Sequence, residues 1–72
     1  MKINYYPDTD SLYIDLSHKT SVESREISEG VVLDYDERGN LVGIDIDHAS
    51  SKLNISEIVL GHLPLENTLV LA

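Results

Sequence analysis

The sequence predicts an α+β fold in two layers: a mainly antiparallel sheet of four to five strands, arranged as a meander, with one C-terminal helix packed on its apolar face. Three observations predict this fold class. Several short segments alternate apolar and polar residues with a period of two, which is typical of strands that bury one face. Turn-forming dipeptides, Pro-Asp and Gly-Asn, separate these segments. Beyond residue 48 the alternation ends, and a capping pattern followed by Gly61 favours a helix.

The strands are predicted over about residues 2–6, 11–16, 22–28, 31–35 and 41–47. A turn at 7–10 separates the first two, because proline presets φ and aspartate bonds to its own backbone. The third strand carries Glu23, Arg25 and Glu26, and such charges are typical of an edge strand. Gly39 ends the polar loop before the fifth strand, so we expect it to adopt the positive φ of a bulged hairpin.

The alternation also predicts which side chains share a face. The apolar members of the second and fifth strands should be buried together: Leu12, Ile14, Leu16, Val42, Ile44 and Ile46. The residues between them should face solvent: Tyr13, Asp15, Asp45 and Asp47. This register is strongly specified, because a slip of one residue would exchange the two faces of the sheet.

The helix is predicted over about residues 50–60, with a tail over 62–72 that carries apolar residues. Asn54 and Glu57 have the spacing of a capping box, and Ser50 is an equally good earlier cap. On a helical wheel Leu53 and Leu60 fall on the side opposite to the other apolar residues: Ile55, Ile58 and Val59. A short helix with two apolar sides needs two surfaces to bury against, and its own sheet provides only one.

A homodimer would provide the second surface. Seventy-two residues form one small domain near the lower limit of independent stability. Phe and Trp are absent and the four tyrosines are the only aromatic residues, so the core is thin and association is a common additional source of stability. We therefore expect a homodimer in which Leu53 and Leu60 lie at the subunit contact.

The charge of the chain restricts its partners. Thirteen acidic and five basic residues give a net charge of −8, which repels nucleic acid and anionic membranes and attracts cationic partners. The same acidity would also keep a small protein in solution without any partner. The chain has no cysteine, no apolar run long enough to span a bilayer and no signal-peptide pattern, so we expect a cytoplasmic location.

No catalytic motif is visible: the nucleophile elbow, the phosphate-binding glycine loop and the HExxH pattern are all missing, and the three histidines have no ligand spacing. We therefore expect neither an enzyme nor a cofactor. The leading hypothesis is a protein–protein interaction module that binds a basic protein through Tyr13, Asp15, Asp45 and Asp47. The alternative is a small-molecule or metal-binding protein that uses the same acidic face of the sheet.

The loop of the last hairpin resembles a calcium-binding loop of EF-hand proteins. Asp34, Asp36 and Gly39 match its first, third and sixth positions, and Asp45 stands at the last position of a twelve-residue loop. Arg38, however, would place a positive charge among the ligands, and the flanking segments have the pattern of strands. A plain hairpin explains the same residues and is the interpretation that we prefer.

One resemblance covers much of the chain and is carried by the order of several short motifs. They are Lys2–Tyr5, Pro7–Asp10, Leu12–Leu16, Glu26–Val31, Asp34–Asp36, Gly39–Ile44 and Ala49–Ser50. In this order they resemble the domain-of-unknown-function family 2283, which consists of short acidic prokaryotic proteins, over about residues 1–53. The resemblance implies no activity, cofactor or functional residue. The resemblance also implies that the genes of some such proteins lie beside a gene of another small family. Such a pair would form a two-protein module, for example an antitoxin with a small basic partner.

Overall fold

The computed structural model describes residues 1–64, and these form five strands and one turn of helix. Every pair of neighbouring strands is antiparallel, which confirms the predicted sheet. Each strand begins and ends within one residue of its predicted range. The strands are β1 (Lys2–Tyr6), β2 (Ser11–Asp15), β3 (Glu23–Ser28), β4 (Val31–Tyr35) and β5 (Leu41–Ile46).

The strand order is β1-β2-β5-β4-β3, so the predicted meander is wrong. After β2 the chain crosses to the far edge of the sheet and forms β3, and β4 and β5 then lead back until β5 pairs with β2. The central place goes to β5, the strand with two buried residues, Val42 and Gly43. The charged β3 lies at an edge, as expected, because charges there discourage pairing with other chains.

The β4–β5 turn has the predicted hairpin geometry. Gly39 has a φ of +79°, a region that glycine enters without steric cost. The carboxylate of Asp36 accepts hydrogen bonds from the backbone N–H groups of Arg38 and Asn40, both at 2.9 Å. These bonds, of which that from Asn40 is the strongest influence, lower the pKa of Asp36. The aspartate that resembles a calcium ligand is thus used within the hairpin itself.

The helix α1 covers only Ala49–Lys52, so the prediction of a helix over 50–60 is wrong. Leu53 is already extended, with φ −129° and ψ 153°, and residues 54–64 have neither helix nor strand. The physical reason is that asparagine, serine and β-branched isoleucine are weak helix formers, and a segment this short needs close packing to stay helical. The two-sided helix therefore no longer argues for a dimer. Most of the predicted tail, residues 65–72, lies outside the described residues.

The register sorts the strand residues onto two faces, as the alternation predicted. Leu12 lies opposite Ile46, and Ile14 opposite Ile44, while Ile3 and Leu33 flank them on the neighbouring strands. We call this surface the apolar face, defined by Ile3, Leu12, Ile14, Leu33, Ile44 and Ile46. Its burial is smaller than predicted: within residues 1–64 the buried apolar residues are Val42 and Ala49, and Leu12, Ile14, Leu16, Ile44 and Ile46 are half-buried. The one-turn helix is too short to cover them.

Asp10 connects the β1–β2 turn to the start of α1. Its backbone carbonyl accepts the N–H of Ala49 at 2.9 Å, and its carboxylate accepts the N–H and the hydroxyl of Ser50 at 3.0 and 2.7 Å. The hydroxyl of Tyr5 donates to the same carboxylate at 2.7 Å. The bonds from Ser50 and Tyr5 lower the pKa of Asp10, and the bond between Tyr5 and Asp10 raises the pKa of Tyr5. His48, the N-cap residue of α1, makes no side-chain capping bond. Asp10 instead accepts the first backbone N–H groups of the helix.

Candidate interaction surface

The second face of the sheet brings together the four residues that the sequence singled out. Tyr13 lies opposite Asp45 across the β2–β5 ladder, and Asp15 lies opposite Gly43. Asp47 follows β5, and its carboxylate accepts a long hydrogen bond, 3.4 Å, from the hydroxyl of Ser11 on β2. All four residues are half-buried. We call this surface the polar face and define it by Tyr13, Asp15, Asp34, Asp45 and Asp47.

Tyr13 crosses the central strand to reach β4. Its hydroxyl donates to Oδ2 of Asp34 at 2.8 Å, and Ser24 of β3 donates to Oδ1 of the same carboxylate at 2.6 Å. The tyrosine passes over Gly43, where an added Cβ would overlap with the phenol oxygen. Glycine at this position of β5 therefore has a packing reason, and the network joins four strands. The bond to Asp34, with burial and further carboxylates, raises the pKa of Tyr13 to about 12.

The carboxylates of the polar face repel one another. Partial burial raises the pKa of Asp45, and the charges of Asp47 and Asp34 raise it further. The carboxylate of Asp34 accepts hydrogen bonds from the hydroxyl groups of Tyr13 and Ser24, and these two bonds hold it in place. The polar face is thus a half-buried surface on which ionised carboxylates lie close together.

Little positive charge from the chain compensates this surface. Lys2 lies opposite Asp15 at the β1 edge of the sheet, and it is exposed. Within residues 1–64 the ion pair that forms is the exposed contact of Arg25 with Glu23, at 3.3 Å, and it involves no carboxylate of the polar face. Lys52 lies near Asp47 at Gly30, but its ammonium group donates to the carbonyl of Glu29 at 2.8 Å. In residues 1–64 the carboxylates of this face therefore form no ion pair, and Asp34 and Asp45 can accept a cation from outside the chain.

The geometry does not favour the alternative of a ligand site on this face. In the part of the chain that the structure describes, no group of three His, Cys, Asp or Glu side chains is placed to hold a metal ion. Two open clefts lie elsewhere. One, of about 460 Å³, lies between the β2–β3 loop and the β4–β5 turn, beside Lys19 and Arg38. The other, of about 390 Å³, lies on the apolar face beneath Leu53 and Ile58.

Sequence reasoning missed Asp34 and Ser24 as members of this surface. Asp34 was assigned to the hairpin and its calcium-loop resemblance, and Ser24 to an edge strand without a role. The signal was the parity of the strands, since Asp34 alternates with Leu33 and Tyr35 and so lies on the side opposite to the apolar residues. The contact to Tyr13 was not visible, because it depends on the place of β5 between β2 and β4.

The architecture therefore defines a class of protein: a small, open, antiparallel sheet with one acidic and one apolar face. The chain belongs to the family described as protein of unknown function (DUF2283), whose family model matches residues 2–50. This confirms the resemblance seen in the motif order. No curated protein and no solved structure matches the chain. None of the helices in residues 1–64 is long and apolar enough to cross a membrane.

Proposed function

We propose that the protein is a non-enzymatic interaction module whose polar face binds a basic protein. The observation that supports this proposal is the crowding of Asp34, Asp45 and Asp47: burial raises the pKa of Asp45, the two neighbouring carboxylates raise it further, and in residues 1–64 none of the three forms an ion pair. A lysine or arginine of a partner would relieve this repulsion and form charge-assisted hydrogen bonds. Our proposal makes the chain an antitoxin-like partner of a small basic protein, with the cytoplasm as the compartment.

Tyr13 and Asp34 would give this surface its shape. The hydroxyl bond at 2.8 Å fixes the Tyr13 ring over the central strand, so that Asp15 lies on one side of the ring and Asp45 on the other. A fixed aromatic ring flanked by carboxylates favours arginine in particular, because a guanidinium can stack on the ring while it pairs with a carboxylate. We therefore expect an arginine-rich partner to bind better than a lysine-rich one.

The proposal is tested by titrating the protein with a short arginine-rich peptide and following backbone amide shifts by NMR. The test variant carries Asp15→Asn, Asp45→Asn and Asp47→Asn. Its matched control removes three exposed carboxylates that are neither in the polar face nor in residues 53–60, through Asp8→Asn, Glu29→Gln and Glu37→Gln. Both variants lose the same amount of negative charge, so they differ only in where it is lost.

We expect the test variant to bind the peptide at least tenfold more weakly than the control does, with shifts of the wild-type protein centred on Tyr13 and Asp45. The difference should shrink as salt is raised, because the Debye length falls from about 10 Å at 0.1 M to about 3 Å at 1 M. Equal weakening in both variants would show that only net charge matters, and the acidity would then serve solubility alone.

We propose in addition that the protein is a homodimer with Leu53 and Leu60 near the contact. Both side chains are substantially exposed, at 38% and 59%, although they are large and apolar. Exposed apolar residues on adjacent chain segments favour a protein contact over isolated surface positions. Sedimentation should give twice 8.0 kDa, and Leu53→Glu or Leu60→Glu should shift the protein towards monomer. A wild-type monomer at high micromolar concentration would contradict this proposal.

A further inference from the structure

We infer that a second copy of this chain packs face to face on the apolar face of the sheet. This inference rests on the homodimer of the proposed function and adds the surface through which the two copies meet. The dimer would then consist of two stacked sheets, with the apolar faces in contact and the two polar faces on the outside.

Residues 1–64 cover the apolar face incompletely. Ile3, on the edge strand, is 40% exposed, and Leu12, Ile14 and Ile44 remain half-buried. Leu53, Ile55 and Ile58 line a cleft above the β1–β2 side of the sheet. A sheet with one apolar face is stable when a second layer covers that face, and the described residues provide only part of that layer.

The width of the apolar face matches that of a second sheet. Five strands at a spacing of about 4.8 Å are about 24 Å across, whereas a single extended segment covers a strip about one strand wide, roughly 5 Å. A second copy of this sheet has the width of the whole face.

Charge segregation allows two acidic chains to meet at this surface. The carboxylates of the strands β2, β4 and β5 project from the polar face, on the opposite side of the sheet. The strand charges on the apolar side are Arg25 and Glu23 at the β3 edge, and these pair with each other at 3.3 Å. Two copies with a net charge of −8 each therefore bring no unpaired charges of the strands together across the sheets.

The available area also suits a dimer. Five strands of five to six residues present a face of roughly 400 Å² in projection, at about 4.8 Å between strands and about 3.3 Å per residue. The uneven surface of the side chains and residues 53–60 add to this projected area. Two such faces then bury about 1,000 Å² or more, which is the lower limit for a specific interface. A two-fold axis through the centre of the sheet would place Ile44 of each copy near the other.

The test compares two substitutions at adjacent positions of the edge strand β1. Ile3→Lys places a charge on the apolar face, and Asn4→Lys places the same charge on the polar face, opposite Tyr13. Sedimentation velocity over a concentration series gives the dimer dissociation constant of each. We expect Ile3→Lys to weaken the dimer at least tenfold and Asn4→Lys to leave it within about twofold of wild type, with circular dichroism confirming that both fold.

A second measurement uses the wild-type chain. In a mixture of isotope-labelled and unlabelled protein, isotope-filtered NOEs should connect the methyl groups of Ile14, Leu33 and Ile44 between copies. A dimer that tolerates Ile3→Lys, or whose intermolecular NOEs lie on the polar face, would overturn this inference and leave the homodimer proposal standing. NOEs to these methyl groups from residues 65–72 of the same chain, or a monomer at several hundred micromolar, would also overturn it. Peptide binding by the polar face is measured separately and does not depend on either result.

Discussion

The polar face and the apolar face belong to the same five strands, but the first is stabilised by hydrogen bonds and the second depends on burial. On the polar face Tyr13 and Ser24 both donate to Asp34 in a network that spans β2 to β3, so this surface is ordered within a single chain. On the apolar face Leu12, Ile14 and Ile44 have partial cover from residues 53–58 and are only half-buried. The difference teaches that a hydrogen-bonded surface can be completed by a few side chains, whereas an apolar surface needs a whole second layer.

The strongest test of this comparison uses two adjacent residues of β5. Ile44→Ala should destabilise the protein by about 2–5 kcal/mol, near the lower end because Ile44 is half-buried. Asp45→Asn should stabilise it slightly, by less than about 1 kcal/mol, near neutral pH. The pKa of Asp45 is raised in the folded state, so its ionised form opposes folding above that pKa and its protonated form does not.

Urea denaturation of both variants at about pH 7 and about pH 3 checks this prediction. The gain from Asp45→Asn should disappear as the pH falls below 3.8, the ordinary value for an aspartate, where the carboxyl group is protonated in both states. The loss from Ile44→Ala should remain until the wild type itself unfolds. Equal destabilisation by the two substitutions would mean that the faces are assigned wrongly.

Gly43→Ala tests whether the Tyr13 network orders the polar face. The added Cβ would overlap with the phenol oxygen, so the ring must move away from Asp34, at a cost of about 1–3 kcal/mol. Loss of the bond should also return the pKa of Tyr13 from about 12 towards 10.0, which ultraviolet absorbance measures during an alkaline titration. Gly61→Ala is the control, because an added Cβ there meets open space and should change little.

Gly39→Val tests the turn that sets the register of β4 against β5, and so the sorting of residues between the faces. An added Cβ has nothing within 4 Å, so the whole cost comes from the φ of +79° and should be about 1–2 kcal/mol or more. Gly39→Asn should cost less, because asparagine tolerates this region better. Thermal melting of both variants measures the difference. A Gly39→Val variant as stable as wild type would show that this position imposes no backbone strain on valine.

Asp10→Asn should give the smallest loss, because an amide can still accept a bond from Ser50. Asparagine also tolerates the φ of +53° at this position, so the change tests the charge and not the backbone. The folded-state pKa of Asp10 is lowered, so its contribution is present above 3.8 and is lost as the pH falls through the folded value. The gap in melting temperature between variant and wild type should therefore close in acid. A gap that persists there would argue against an electrostatic origin.

The strands could be predicted because their pattern is local. Apolar residues recur at every second position, as in Leu12 and Ile14 and in Ile44 and Ile46, and this is the period of a strand. Gly39 supplies the positive φ that its turn requires. The helix was predicted too long because a capping pattern at Asn54 says where a helix can start, but not whether packing sustains it. The structure ends the helix at Lys52 instead.

The non-local contacts could not be predicted. Nothing in the sequence near Asp10 indicates that it caps a helix forty residues away, or that His48 adopts a positive φ before that helix. Asp34 meets Tyr13 because β5 lies between β4 and β2 and places Gly43 beneath the Tyr13 ring. The strand order decides this arrangement, and local periodicity contains no information about strand order.

The central place of β5 has a consequence for how fast the protein folds. The sheet consists of two locally connected pieces, the β1–β2 hairpin and the β3–β4–β5 meander, whose strands pair with each other along the β2–β5 ladder. Each piece can form on the microsecond timescale of hairpins. Joining them brings Leu12 to Ile46. Since each piece is already formed, this step must order the connecting residues 16–22 and fix one piece against the other before the new contacts repay the lost chain entropy. We therefore expect formation of the β2–β5 ladder to limit the folding rate of the chain.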